Sequence, residues 1–424
     1  MTDWKPEANN AMHTAMSGDL PERRRKKTAP RWFAHLWLFF LVVFLIGFSA
    51  SIASGKTCDL LATDFRGYYA AGLIAREAGL AAVYDPELQA ESQATLYLGC
   101  PDGTARPPLM QVMVPYLPIF VLLFLPLPAL DFTASYIAWS LVNLVIFILY
   151  LYRFSNALHI RLDSLRLFQW ALCFALLANL TLGQINALLV IILGEFVLAF
   201  KRDKALWGGA WLAGLLLKPN LLILLLPGLL ISWRWKASLG FGVSAALLLG
   251  ASLLLAGTDG LQAWLEVVCS FAESSFNSVP NMMNARALAY HMGQILPAWL
   301  AWLAAAAVTV ITALFVLARW IASNQRDNLL WLMLATLAGT FVVAWHSNLY
   351  LWMVLIPFLF VLDSEGQLPI IYLAFWAFGP AVVYGLVYFF NPALAHPVLG
   401  MAMLLANLVL VVHSTRRLKC DPNE

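Results

Sequence analysis

From about Trp32 to His413 the chain is a succession of long apolar runs, and the charges between them fall in short, mostly basic clusters. A helix that is apolar all round must be surrounded by apolar material, and a bilayer core takes about 20 such residues per helix. Of the 424 residues 62% are hydrophobic and 12% charged, against about 25% charged in a soluble domain. That supply is enough for about a dozen crossings. Seventeen Trp and thirteen Tyr suit aromatic belts at the two membrane interfaces. A net charge of +3 offers no basic surface for nucleic acid, and no nucleic-acid partner is expected.

The basic clusters set the orientation. Arg23, Arg24, Arg25, Lys26 and Lys27 directly precede the run 32–53, which places the N-terminal side in the cytoplasm by the positive-inside rule. A run of about 22 residues is too long for a signal-peptide core, so it reads as an uncleaved first helix. Placing the clusters at 153–166, 201–204, 234–236, 319–326 and 416–419 on the same side gives one consistent path. Its helices are 32–53, 132–152, 167–182, 184–200, 205–218, 219–233, 237–256, 298–318, 328–345, 349–363, 368–389 and 397–413. The expected fold is therefore all-α and polytopic, with about twelve transmembrane helices and both termini cytoplasmic. Residues 1–31 read as a disordered basic tail, 32–413 as one transmembrane catalytic domain, and 414–424 as a second cytoplasmic tail.

Two substantial outer segments remain, about 54–108 and 257–297. Within the first, 68–82 and 86–97 read as short interfacial helices, the second started by Asp85-Pro86. Residues 107–130 are apolar but interrupted by six prolines. They read as a broken or re-entrant segment on the outer side, and non-helical backbone at membrane depth is tolerated only against protein or a wet cavity. Most of the unusual polar residues fall on this outer side: Asp64, Gln184, Asn186, Lys218, Arg286, His346 and Tyr350.

The five cysteines have no zinc-ligand spacing. Cys58 and Cys100 bracket the first outer segment, where a bridge between them and two free thiols are equal readings. Neither a metal-binding Asp-x-Asp nor a Gly-rich phosphate loop occurs, which argues against a cytosolic nucleotide donor. Divalent-metal use is left open.

Several motifs together resemble glycosyltransferase family 87. They are Asp64 with Tyr68-Tyr69-Ala70-Ala71-Gly72, Val83-Tyr84-Asp85, Arg106-Pro107-Pro108-Leu109, Leu182-Gly183-Gln184-Ile185-Asn186, Gly214 through Lys218-Pro219, and Trp345-His346-Ser347-Asn348-Leu349-Tyr350. Their order spans about residues 60–360. The resemblance implies a GT-C-type membrane enzyme of a bacterial plasma membrane. Such an enzyme moves a sugar, mannose or another hexose or pentose, from a polyprenyl-phosphate donor to an envelope glycolipid or polysaccharide on the outer face. Asp64 takes the place of the catalytic carboxylate and acts as general base. Arg66, Arg106, Lys218, His346, Tyr350, Gln184, Asn186 and Arg286 are the candidates for holding donor phosphate and sugar. Plainer roles compete: Asp64 as a helix cap or a partner of Arg66, Lys218 as a snorkelling cation, Gln184 and Asn186 as caps, and Glu195 as a structural partner of the Lys201 region. A lipid or solute transporter is the alternative for the whole chain, although no internal repeat or paired midplane charge supports it.

Overall fold

The computed structural model describes residues 64–96, 112–160, 173–271, 279–322 and 325–418, with Trp170 and four residues of the first apolar run. The expected first helix 32–53, Cys58, Cys100, Arg106 and the tail 1–31 therefore lie outside the described residues or nearly so. Among the described residues every regular element is helical. In chain order they are α1 Phe65–Glu77, α2 Pro86–Thr95, α3 Pro118–Val121, α4 Phe132–Ala157, α5 Phe174–Thr181, α6 Asn186–Lys201, α7 Ala205–Leu212, α8 Leu222–Ile231, α9 Trp235–Phe271, α10 Ala285–Met292, α11 Ala298–Ala322, α12 Gln325–Val343, α13 Ile356–Ser364, α14 Ile370–Phe390 and α15 Pro392–Arg417, with short 3₁₀ turns between some of them.

Among the described residues, four helices are long and apolar enough to cross a membrane: Phe132–Ala157, Trp235–Phe271, Ala298–Ala322 and Ala393–Arg417. Their surfaces are apolar, as a bilayer-facing surface is. Leu254 is 89% exposed and Ile311 66% exposed, a cost in water of about 25 cal/mol per Å² that lipid removes. Inside this apolar shell lie two helices buried on nearly every side. In α6, Ala187, Leu189, Val190, Leu193 and Phe196 are all inaccessible, and α12 is closed from Leu332 to Val342. The described residues thus form an all-helical structure of the kind a membrane protein has.

The observed elements refine several expected boundaries. Helix α4 runs to Ala157, past the expected end at 152, and the largely exposed Arg153 in its last part reaches Glu195 of α6 at 3.0 Å. Glu195 also accepts from Tyr150 at 3.1 Å, so its partner is Arg153 and not the Lys201 region. The expected outer loop 257–297 is largely helical. Gly257, at φ 69°, breaks α9 and re-aims it, and the segment beyond continues helically to Phe271. Helix α15 reaches Arg417, with Arg416 and Arg417 in its last turn, where positive charge suits the helix dipole. The proline-rich stretch is broken as expected. Residues 112–117 run without regular structure, and only α3 and a turn at Leu127–Ala129 follow before α4.

Helix α1 begins three residues earlier than expected, directly after Asp64, and ends before Gly79 at φ 93°. Its Tyr-Tyr-Ala-Ala-Gly run has a packing reason. Tyr68 stacks flat on Phe124 with ring centroids 4.6 Å apart. A Cβ on Gly72 would sit 2.3 Å from the Phe124 carbonyl oxygen. The small residue therefore lets α1 lie against the proline-rich stretch, bringing both to the same cavity.

Candidate active site

Gly183 sets the geometry from which the site is built. It holds φ 65°, a left-handed conformation that favours glycine, and a Cβ there would lie 2.5 Å from Cβ of Phe65. The same close approach lets the Phe65 N–H donate to the Leu182 carbonyl at 3.2 Å. In this way the start of α1 is docked on the turn between α5 and α6. Asp64 and Gln184, 120 residues apart in sequence, become neighbours, and the Gln184 side-chain amide donates to an Asp64 carboxylate oxygen.

Lys218 reaches the same amide from the bend between α7 and α8. Its Nζ donates to Gln184 Oε1 at 2.6 Å and to Asn186 Oδ1 at 2.9 Å, and lies 4.8 Å above the Tyr350 ring. Pro219 and the loss of helical backbone at Lys218 (ψ 79°) produce the bend. Asn186 in turn donates to the Tyr350 carbonyl at 3.0 Å. From the turn after α12, Asn348 Nδ2 lies 3.2 Å from Tyr350 Oη and 3.3 Å from His346 Nε2, while Asn220 holds the His346 carbonyl at 2.9 Å.

These groups surround a cavity of about 340 Å³. Asp64, Gln184, Lys218, His346 and Tyr350 supply polar wall, and Phe271, Ile223 and Leu217 are among the apolar residues facing them. Burial dominates the electrostatics. It pushes the Asp64 carboxyl up from 3.8 to about 6, against the pull of Lys218, the Gln184 hydrogen bond and Arg66. His346 is driven down to about 4 by burial, with Lys218 and Arg286 adding to the effect. At neutral pH it is an uncharged imidazole, able to hydrogen-bond a ligand but not to neutralise a phosphate.

The plainer roles can now be compared with the structure. Asp64 occupies the N-cap position of α1 but makes no side-chain capping bond. Gln184 and Asn186 cap nothing either, since Ile185 is the N-cap of α6 and the two amides are engaged with Asp64, Lys218 and Tyr350. Lys218 points inward and does not snorkel. Arg66 is buried and donates to Gln93 Oε1 at 3.1 Å, off the cavity wall. Arg286 lies 4.3 Å from the Trp345 ring, which itself lines the cavity. Arg106 is outside the described residues.

Sequence reasoning assigned no role to Tyr68, Tyr116, Asn220, Asn284 or Asn348. Asn284 is fully buried, accepts from Ala287 N and donates to the carbonyls of Ala344 and Trp345, which fixes the turn that carries His346. The available signal was polarity inside apolar sequence, as at Pro219-Asn220 and Asn348 beside Tyr350. Among the described residues no group of three or more His, Cys, Asp or Glu side chains converges as a metal site.

Among the described residues, then, a half-buried carboxylate and a half-buried ammonium share one cavity. The model of glycosyltransferase family 87 matches residues 115–347, a little over half of the chain. The chain belongs to that family and is a glycosyltransferase, which removes the transporter alternative. The match contains Gln184, Asn186, Lys218, Arg286 and His346, whereas Asp64 and Tyr350 lie beyond its ends. No curated protein and no solved structure matches the chain.

Proposed function

We propose that the enzyme transfers a sugar from a polyprenyl-phosphate donor to an envelope glycolipid or polysaccharide on the outer face of a bacterial plasma membrane, through about twelve spans with cytoplasmic termini. One observation carries this reading. The Asp64 carboxylate and the Lys218 ammonium meet the two ends of a single amide, Gln184, in a cavity with both polar and apolar walls.

Sugar transfer needs a base for the acceptor hydroxyl and a cation for the departing phosphate. Gln184 engages one oxygen of Asp64, and the other takes the acceptor proton. As that proton moves, the acceptor oxygen attacks the anomeric carbon and the bond from that carbon to the phosphate oxygen breaks. The electron pair leaves with the polyprenyl phosphate. Lys218 makes two hydrogen bonds among the described residues, so one of its three N–H groups is available to the phosphate, and Tyr350 and neutral His346 add hydrogen bonds to phosphate or sugar. A single displacement of this kind inverts the anomeric centre and needs no second carboxylate. The basic cytoplasmic clusters support the sidedness, and the apolar wall of Phe271, Ile223 and Leu217 supports a lipid-borne donor.

The test is a transfer assay on the full chain in nanodiscs, offering radiolabelled polyprenyl-phosphate mannose, arabinose and glucose in turn with membrane lipid extract as acceptor. Labelled lipid-linked product from one of these donors is expected. Product from a nucleotide sugar and from none of the polyprenyl donors would overturn the reading.

A further inference from the structure

As an ammonium Lys218 only donates hydrogen bonds, and the Gln184 atom it meets at 2.6 Å is the carbonyl oxygen. Tyr68 Oη lies 3.2 Å from that same oxygen and must spend its one proton on it. Tyr68 Oη also lies 2.8 Å from Tyr116 Oη. With the Tyr68 proton already committed, Tyr116 is the donor in that pair. The Tyr116 backbone is held in turn, because Tyr84 Oη donates to its carbonyl at 2.6 Å. Both tyrosines that carry the chain are buried, and the Tyr68 ring is clamped on Phe124. The hydrogen bonds therefore run in one direction, from Tyr116 to Tyr68 to Gln184 to Asp64.

We propose that Tyr68 and Tyr116 are positioning residues, whose hydroxyls form a one-way donor chain onto the Gln184 carbonyl that keeps the Gln184 N–H aimed at Asp64. An amide with two donors on its carbonyl is polarised, and its N–H becomes a stronger donor. The inference deepens the proposed role of Asp64 and rests on it for its catalytic meaning, though not for its geometry. The other titratable groups facing Asp64 are Lys218 from the α7–α8 bend, Arg66 from α1, and Tyr350 from the turn after α12, with His346 beside Lys218. All of them stay in place as side chains when a tyrosine hydroxyl is removed, so the non-additivity of the two tyrosine variants, rather than a single shift, reports the chain.

Infrared difference titration of the full protein in nanodiscs, wild type against Asp64→Asn, isolates the protonated carboxyl band of Asp64. In Tyr68→Phe, which keeps the ring on Phe124, the band should titrate about half to one pH unit higher, since a donor that favours the carboxylate has been weakened. Tyr116→Phe should move it in the same direction. The double variant should move it no further than Tyr68→Phe alone, because Tyr116 acts only through Tyr68. In the transfer assay with the polyprenyl-phosphate donor that the wild type uses, the same variants should lose about fivefold in kcat at unchanged donor KM. An unmoved band in Tyr68→Phe, or a double variant shifted by the sum of the singles, would overturn the chain. Wild-type transfer by Asp64→Asn would instead remove the base and leave the infrared result to decide the chain by itself.

Discussion

Lys218 and Gln184 meet at 2.6 Å, Nζ to Oε1, and the lysine decides which way round the amide sits. With the carbonyl turned to the ammonium, the amide nitrogen can only face Asp64, to which it donates. Lys218 thus has two tasks, one toward the donor phosphate and one in orienting the base through Gln184. Lys218→Met should lower transfer by about 10²- to 10³-fold, the scale for losing one preorganised donor at a charge-developing centre. It should also raise the apparent pKa of the acid limb, because Asp64 loses the positive charge that acts on it most strongly. Steady-state rates against pH, with donor KM measured alongside, check both effects.

The pH profile of the unmodified enzyme follows from the burial of Asp64. A general base works only when deprotonated, and burial raises this carboxyl from 3.8 to about 6. Activity should therefore fall as pH drops through about 6, with kcat/KM losing about tenfold per unit below it. An ordinary exposed carboxylate would hold its activity down to about pH 4. Because His346 is held down to about 4, its protonation lies well below this limb, and His346→Gln should leave the limb in place.

Gly183 links the stability of the fold to the site. Its left-handed backbone and the 2.5 Å approach that a Cβ would make to Phe65 mean that Gly183→Ala is strained twice over. The backbone term alone costs about 1–2 kcal/mol, and relieving the contact moves the residue next to Asp64. Thermal unfolding of the purified protein should shift down by several degrees, and transfer should fall more than the loss of folded protein explains. A variant with wild-type Tm and rate would show that the docking of α1 on this turn does not depend on glycine.

Much of this architecture is written in the apolar runs and basic clusters. The ends of α6, α11 and α14 lie within a few residues of the expected positions, because lipid solvation imposes helix on any long apolar run. The bend at Lys218-Pro219 was equally legible, since proline removes a backbone donor. Helix beyond Gly257 was not, because a glycine and a few polar residues look the same before a loop and before a re-aimed helix. The pairing of Arg153 was hidden for a related reason: a basic residue at a helix end reads only as part of a charged cluster, and its partner, Glu195, lies 42 residues away. At the site, Asp64, Lys218, Gln184, His346 and Tyr350 could be singled out one by one. The tyrosine chain could not, because Tyr116 sits among prolines and contacts Tyr68 across 48 residues. Hydrogen-bond direction appears only once three dimensions bring donor and acceptor together.

The central claim is that Asp64 is the base, and Asp64→Asn tests it most directly. The amide is nearly isosteric with the carboxylate and keeps the site filled, but it cannot take a proton from the acceptor. With the polyprenyl-phosphate donor that the wild type uses, transfer by the folded Asp64→Asn protein should fall by about 10²- to 10⁴-fold, the usual scale of general-base catalysis, while thermal stability stays near that of the wild type. Lipid-linked product formed at the wild-type rate by the folded variant would contradict the account.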